Sequence, residues 1–119
     1  MATFVLTHGG WAGGWMWQEV AYNLRQAGHL VYTPTLSGLG ERVHLANQDI
    51  DMDTHIQVVQ IVLIYEVLWQ VNLVCYSSGG VVATGVADLV PVRITHLIYL
   101  DALVPQDGQS IADMVGPNV

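Results

Sequence analysis

The amino-acid sequence predicts a single α/β domain over residues 1–119, a parallel sheet of about four strands with helices on both faces. Three observations predict it. Apolar, β-branched runs alternate with helical stretches in the order β-α-β-α-β-α-β. The strand candidates are apolar along their length, as in sheets covered on both sides. No internal repeat or low-complexity linker interrupts the chain, and 119 residues is the size of one domain with a real core.

Each element has its own signal. Thr3-Phe4-Val5-Leu6-Thr7 is a short β-branched run ending at Gly9-Gly10, a buried strand followed by a tight turn. After a Gly/Trp-rich loop, a helix is expected from about Met16 to Ala27. It places Val20, Leu24 and Ala27 on one face and is closed by Gly28. Leu30 to Thr33 is the second strand, stopped by Pro34, and a polar loop runs from Ser37 to Asp51. Asp53 or Thr54 can cap a second helix to about Leu68. Val71 to Tyr76 is the third strand. The third helix starts near Ser77 and ends before Pro91. Ile94 to Leu100 is the fourth strand, ending at Asp101, and the remainder is Pro- and Gly-rich with one candidate helical turn near Ile111.

Composition excludes several functions. Hydrophobic residues make up 52% and charged residues 11%, against a usual charged share of about 25%. Such a chain is not a disordered tail, and some of its apolar surface is expected to meet something other than water. The net charge is −7, with three basic residues, all Arg. A phosphate backbone or an anionic membrane needs clustered cations, so neither is an expected partner. One Cys excludes an intrachain disulfide framework and a cysteine-cluster zinc site. Five scattered His lack ligand spacing, so no metal is expected. Met1 to Leu6 does not read as a signal peptide. Val58 to Tyr76, the most apolar stretch, is broken by Gln60, Glu66, Gln70 and Asn72 and does not read as a membrane span. The expectation is a cytoplasmic protein.

In parallel α/β sheets, sites lie at the carboxyl ends of the strands. Four segments end there: His8-Gly9-Gly10-Trp11, Leu36 to Arg42, Ser77-Ser78-Gly79-Gly80, and Asp101. The third is the sharpest signal. A serine between an apolar strand and a helix opening with two glycines has the pattern of a nucleophile elbow, a turn so tight that only small neighbours fit. The helix N-terminus adds N–H groups and a positive dipole end that suit an oxyanion. The competing reading is a loop that merely caps a helix. His8-Gly9-Gly10 supports the elbow, because its glycines let the backbone approach a carbonyl oxygen. Phosphate cradling by these glycines fails for want of a GxGxxG or a P-loop Lys.

The chain resembles the N-terminal part of an α/β-hydrolase. It is most similar to the small esterase group that includes plant methyl-ester esterases, hydroxynitrile lyases and bacterial relatives. The matching segments are FVLTHGGWAGGWMW (4–17), GHLVYTPTLSGLGERV (28–43), DTHIQ (53–57), SSGGVVATGVAD (77–88) and IYLDALVPQDGQS (98–110). The resemblance implies ester hydrolysis through an acyl-enzyme with no cofactor. It places the nucleophile at Ser77 and the oxyanion donors at the backbone N–H groups of Gly10 and Ser78.

Three departures qualify it. The family elbow reads Gly-x-Ser-x-Gly, and here it is Cys75-Tyr76-Ser77-Ser78-Gly79. The family order is Ser, acid, His, but the only His after Ser77 is His96, at the start of the fourth strand and away from the elbow. Family members are longer, so the expectation is an incomplete fold lacking the lid, the last strands and the catalytic His.

Other residues carry paired readings. Asp101 is either the catalytic acid or a loop-organising Asp. His8 reads as a structural brace. His44 and His55 follow the second strand and are the imidazoles to test as base, although surface or capping roles are the ordinary reading. Cys75 reads as a buried apolar residue. Trp11, Trp15 and Trp17 read as loop packing, with Trp11 a candidate for lining an acyl pocket. Glu41 and Arg42 read as a solvated pair.

Two functions follow: a serine carboxylesterase acting on a small-molecule ester, or a non-catalytic or weakly active binding and assembly module. The expected assembly is a homodimer. The sheet order that the resemblance implies places Ile94 to Leu100 at an apolar sheet edge, and the second helix is apolar nearly all round, with Ile56, Val59 and Leu63 able to face the sheet and Val58, Ile61, Val62 and Ile64 elsewhere.

Overall fold

A computed structural model of the chain describes residues 1–10, 12–45 and 51–102. Four strands, β1 (Thr3–Thr7), β2 (Leu30–Tyr32), β3 (Val71–Ser77) and β4 (Ile94–Ala102), form one sheet in the order β2-β1-β3-β4. All three pairings are parallel. Three helices connect the strands: α1 (Gln18–Gln26), α2 (Met52–Tyr65) and α3 (Gly79–Leu89).

Side-chain alternation divides the sheet into two cores. Val5, Leu73 and Cys75 face one way and pack with Val59 and Leu63 of α2 and Val82, Ala83 and Val86 of α3. Leu6, Val31 and Val74 face the other way and pack with Trp17 and Ala21. Helices therefore cover both faces, as the apolar strands require.

The first helix differs from expectation. A 3₁₀ turn occupies Gly14–Trp17, so the α-helix begins at Gln18. Its buried positions are Trp17 and Ala21 with Leu24 beside them, whereas Val20 is 44% exposed and Ala27 is exposed. The bulky Trp17 wins the inward position and rotates the helix around it. The cap of α2 is Asp51, not Asp53 or Thr54. Its carboxylate accepts the Thr54 N–H at 3.0 Å, and the Thr54 hydroxyl accepts the Asp51 N–H. The Thr54 N–H and, at 3.1 Å, the Thr54 hydroxyl both donate to the Asp51 carboxylate and hold its pKa below the usual value. The far end of α2 stops at Tyr65, where Val67 turns to φ 53°. Arg93 donates there to the Leu63 and Leu68 carbonyls at 2.9 and 3.0 Å and lies over the Trp69 ring.

The second and fourth strands are the sheet edges among the described residues. On β4, Leu97 and Tyr99 face the α3 side, and Tyr99 hydrogen-bonds Thr84 at 2.6 Å. Ile98 and Leu100 face the opposite side beside Tyr76, at 37%, 46% and 40% exposed. On α2, Val59 and Leu63 are buried while Ile61 and Ile64 are 49% and 41% exposed, as its all-round apolarity predicts. Among the described residues, no helix is long and apolar enough to cross a membrane.

The Arg93 clamp generates a prediction. Arg93→Ala should lower unfolding free energy by about 2 kcal/mol, since it removes two charge-assisted bonds to carbonyls at a helix end. Urea denaturation checks this, and an unchanged midpoint contradicts it.

Candidate active site

The site is built where β1 and β3 end side by side. Thr7 pairs with Cys75, so the next residues of both strands emerge together at the carboxyl edge. Ser77 is the last residue of β3 and has φ 54°, a left-handed conformation that L side chains rarely adopt. Holding it costs about 1–3 kcal/mol. This is the backbone expected of an elbow serine.

Two glycines make the turn possible. A Cβ on Gly79 would lie 2.5 Å from the His8 carbonyl oxygen, and a Cβ on Gly9 would lie 3.0 Å from the Ser77 Cβ. The loop after β1 and the turn after β3 are thus in backbone contact. The neighbouring Cys75, where the family pattern has Gly, is accommodated. Its thiol is buried and hydrogen-bonds the Ile98 carbonyl at 3.5 Å, and burial pushes its pKa up to about 11. It is a packing residue and no nucleophile.

His8 is the brace the sequence suggests. Its Nδ1 lies 2.7 Å from the Gly9 carbonyl, and its Nε2 accepts the Leu36 N–H at 2.9 Å. Accepting at Nε2 leaves the ring proton on Nδ1, so one neutral tautomer satisfies both bonds. Burial lowers its pKa, against smaller raising effects from the Gly9 carbonyl and Glu41. The imidazole ties the loop after β1 to the segment after β2. A second tie runs from the Gly14 N–H to the Thr35 hydroxyl at 2.8 Å, and from that hydroxyl to Glu41 at 2.6 Å. Glu41 is therefore an anchor of this loop, not the simple solvated residue its exposure suggests.

Gly10 and Ser78 lie side by side, the Gly10 N–H donating to the Ser78 hydroxyl at 2.9 Å. Both line a cavity of about 280 Å³ with Leu36, Leu39, Met52 and Val82. His55 lines it too, which corrects the ordinary surface or capping reading of that residue. Its Nδ1 is buried with no partner among the described residues. Burial is the main cause of its lowered pKa, the nearby His8 adds to it, and Asp51 opposes it. Sequence reasoning could rank His55 only by its position after the second strand, because the cavity forms between segments far apart in the chain.

The other candidates fall as follows. Asp101 sits at the carboxyl end of β4 with φ 48°, in a bulge where Ser77 pairs with Ala102. Its side chain is exposed, and the segment after Ala102 that it would organise lies outside the described residues. His44 is exposed on the 3₁₀ turn Gly40–Leu45. His96 bonds Asn72 at 2.8 Å near the start of β4, away from the elbow. Trp15 is exposed and Trp17 buried. Trp11 and the candidate turn near Ile111 lie outside the described residues. Among the described residues, no group of three or more His, Cys, Asp or Glu is placed to hold a metal.

Residues 4–118 match the Alpha/beta hydrolase family. The chain belongs to that family. It is 49% identical over 111 residues to a carbendazim hydrolyzing esterase of Nocardioides sp. (strain SG-4G), covering 93% of this chain and 46% of that protein. It is 32% identical over 104 residues to an alpha-hydroxynitrile lyase of Arabidopsis thaliana, covering 86% and 40%. Among solved structures, an extracellular alpha/beta-hydrolase from a Paenibacillus species superposes with a TM-score of 0.87 at 38% identity, over 95% of this chain and 46% of that one. The chain thus spans less than half the length of each of these relatives.

The state of His8 generates a pH prediction. Its folded pKa lies below the usual 6.5, so the unfolded chain binds the proton more readily. The native bonds are then fully stabilising above pH 6.5. Stability falls as pH drops through 6.5 and levels off below the folded pKa. His55 contributes in the same direction. Urea midpoints should decline from pH 7.5 to 5.5, with a shallower decline in His8→Gln, whereas midpoints that rise toward pH 5.5 contradict this account.

Proposed function

We propose that the chain carries the nucleophilic half of a serine carboxylesterase site for small carboxylic esters. The observation that carries the reading is Ser77 at φ 54° on the strand-to-helix turn, packed against the loop of Gly9 and Gly10. The similarity to a carbendazim hydrolyzing esterase supports ester hydrolysis as the reaction class.

In this reading the Ser77 hydroxyl oxygen attacks the ester carbonyl carbon, and its proton passes to a general base. The carbonyl oxygen becomes an oxyanion held by the backbone N–H groups of Gly10 and Ser78, at the positive end of α3. The carbon–oxygen bond to the alcohol then breaks, the alcohol leaves with the proton, and water hydrolyses the acyl-enzyme. The cavity of about 280 Å³, walled by Leu36, Leu39, Met52 and Val82, suits a small apolar acyl group. His55 is the imidazole closest in role to a base within this chain, because it shares that cavity with Gly10 and Ser78.

The second reading, a non-catalytic or weakly active module, is favoured by one observation. Among the described residues, no imidazole is hydrogen-bonded to Ser77. A fluorophosphonate probe and p-nitrophenyl acetate separate the two. The esterase reading expects covalent labelling at Ser77, lost in Ser77→Ala, together with ester hydrolysis lost in the same variant. Labelling that persists in Ser77→Ala removes the assignment, and no labelling of either protein selects the module.

The proposal extends to a two-fold dimer. The apolar β4 edge with Ile98 and Leu100, and the exposed Ile61 and Ile64 of α2, support it. Light scattering at micromolar concentration should give a dimer that Ile98→Lys dissociates, and a stable 13.0 kDa monomer overturns it.

A further inference from the structure

We infer that the Ser78 side chain occupies the oxyanion hole at rest and competes there with the substrate's carbonyl oxygen. The inference rests on the reading of Ser77 as nucleophile. Its starting point is the 2.9 Å bond from the Gly10 N–H to Ser78 Oγ. A hydroxyl oxygen accepting that N–H stands where the substrate oxygen would have to stand, because one N–H makes one good linear bond.

A second observation comes from the helix itself. Ser78 is the N-cap of α3, and serine is among the residues that cap best. Its side chain makes no capping bond. A capping residue ordinarily has an extended backbone, but Ser78 has φ −65° and ψ −16°, already helical. That conformation follows from the strained turn at Ser77, and it leaves the hydroxyl directed across to Gly10. The Ser78 hydroxyl therefore accepts no N–H of α3, where the Val81 N–H reaches only the Ser78 carbonyl at 3.2 Å, and instead accepts one of the two proposed oxyanion donors.

The consequence is a slower reaction. A ligand oxygen has to displace a neutral hydroxyl from Gly10 before both donors engage it. A weakly basic oxygen competes poorly, whereas the charged oxygen of a tetrahedral intermediate competes well, since bonds to charged acceptors are about twice as strong. Displacing the hydroxyl costs the same whichever oxygen arrives, so Ser78 slows acylation of Ser77 without favouring the transition state over the ground state.

The test compares wild type, Ser78→Ala and Ser78→Thr in two measurements. The first is the rate of Ser77 labelling by a fluorophosphonate, in which the Ser77 oxygen–phosphorus bond forms, the phosphorus–fluorine bond breaks, and fluoride and the hydroxyl proton leave. The second is amide hydrogen exchange at Gly10. Removing a competing hydrogen bond should speed labelling of Ser78→Ala about fivefold and speed Gly10 exchange. Ser78→Thr keeps the hydroxyl and should show neither gain. A lost structural contact would not accelerate the reaction, so the gain is diagnostic. Slower labelling of Ser78→Ala means the hydroxyl itself donates to the oxyanion and overturns the inference. An unchanged rate overturns it whatever Gly10 does. Absence of Ser77 labelling in wild type and variants alike overturns the nucleophile reading and this inference with it.

Discussion

The contact on which the site depends is the backbone packing between the loop after β1 and the turn after β3. Gly79 lies against the His8 carbonyl with no room for a side chain, and Gly9 lies tightly against Ser77. That contact holds Ser77 in its left-handed conformation, turns Ser78 toward Gly10 and starts α3 directly beneath the site. The strain is local, and the support is distributed. His8 fastens the first loop to Leu36, Thr35 fastens Gly14 to Glu41, and the two cores hold the strands whose ends carry the loops.

The electrostatics follow from the same packing. With few charges in the chain, the site is built mainly from N–H dipoles, hydroxyls and imidazoles whose pKa burial lowers, with the Asp51 carboxylate lining the same cavity. Neutral His8 keeps an acceptor for Leu36, so protonation opposes the fold at the residue that positions the loop after β1. The lowered acidity of Cys75 is the counterpart, a thiol kept protonated and inert under the turn.

Much of the architecture was legible in the sequence because it rests on short-range pattern. Apolar runs marked the four strands, and Ser77 and Ser78 followed by two glycines marked the strand-to-helix turn after β3. The all-round apolarity of α2 marked its exposed Ile61 and Ile64. Asp101 was placed at the end of β4 correctly, but its bulge geometry depends on register with β3 and has no local signal. The face of α1 was misjudged because Trp17 precedes the helix proper and sets its rotation by bulk. The cap of α2 was missed by two residues, since Asp51, Asp53 and Thr54 all have capping chemistry and only the reciprocal bond selects Asp51. His55 in the cavity and Ser78 on Gly10 were illegible for one reason. Both depend on contacts between segments far apart in sequence, 68 residues in the case of Gly10 and Ser78.

The account makes the close approach of Gly79 to the His8 carbonyl the condition for a reactive Ser77. The most direct measurement is fluorophosphonate labelling of Gly79→Ala, with circular dichroism to follow the fold. A Cβ 2.5 Å from a backbone oxygen forces the two loops apart. The account predicts a folded sheet with Ser77 labelling slowed at least about tenfold, as misplacement of a reacting group does. A folded Gly79→Ala that labels at the wild-type rate would contradict it.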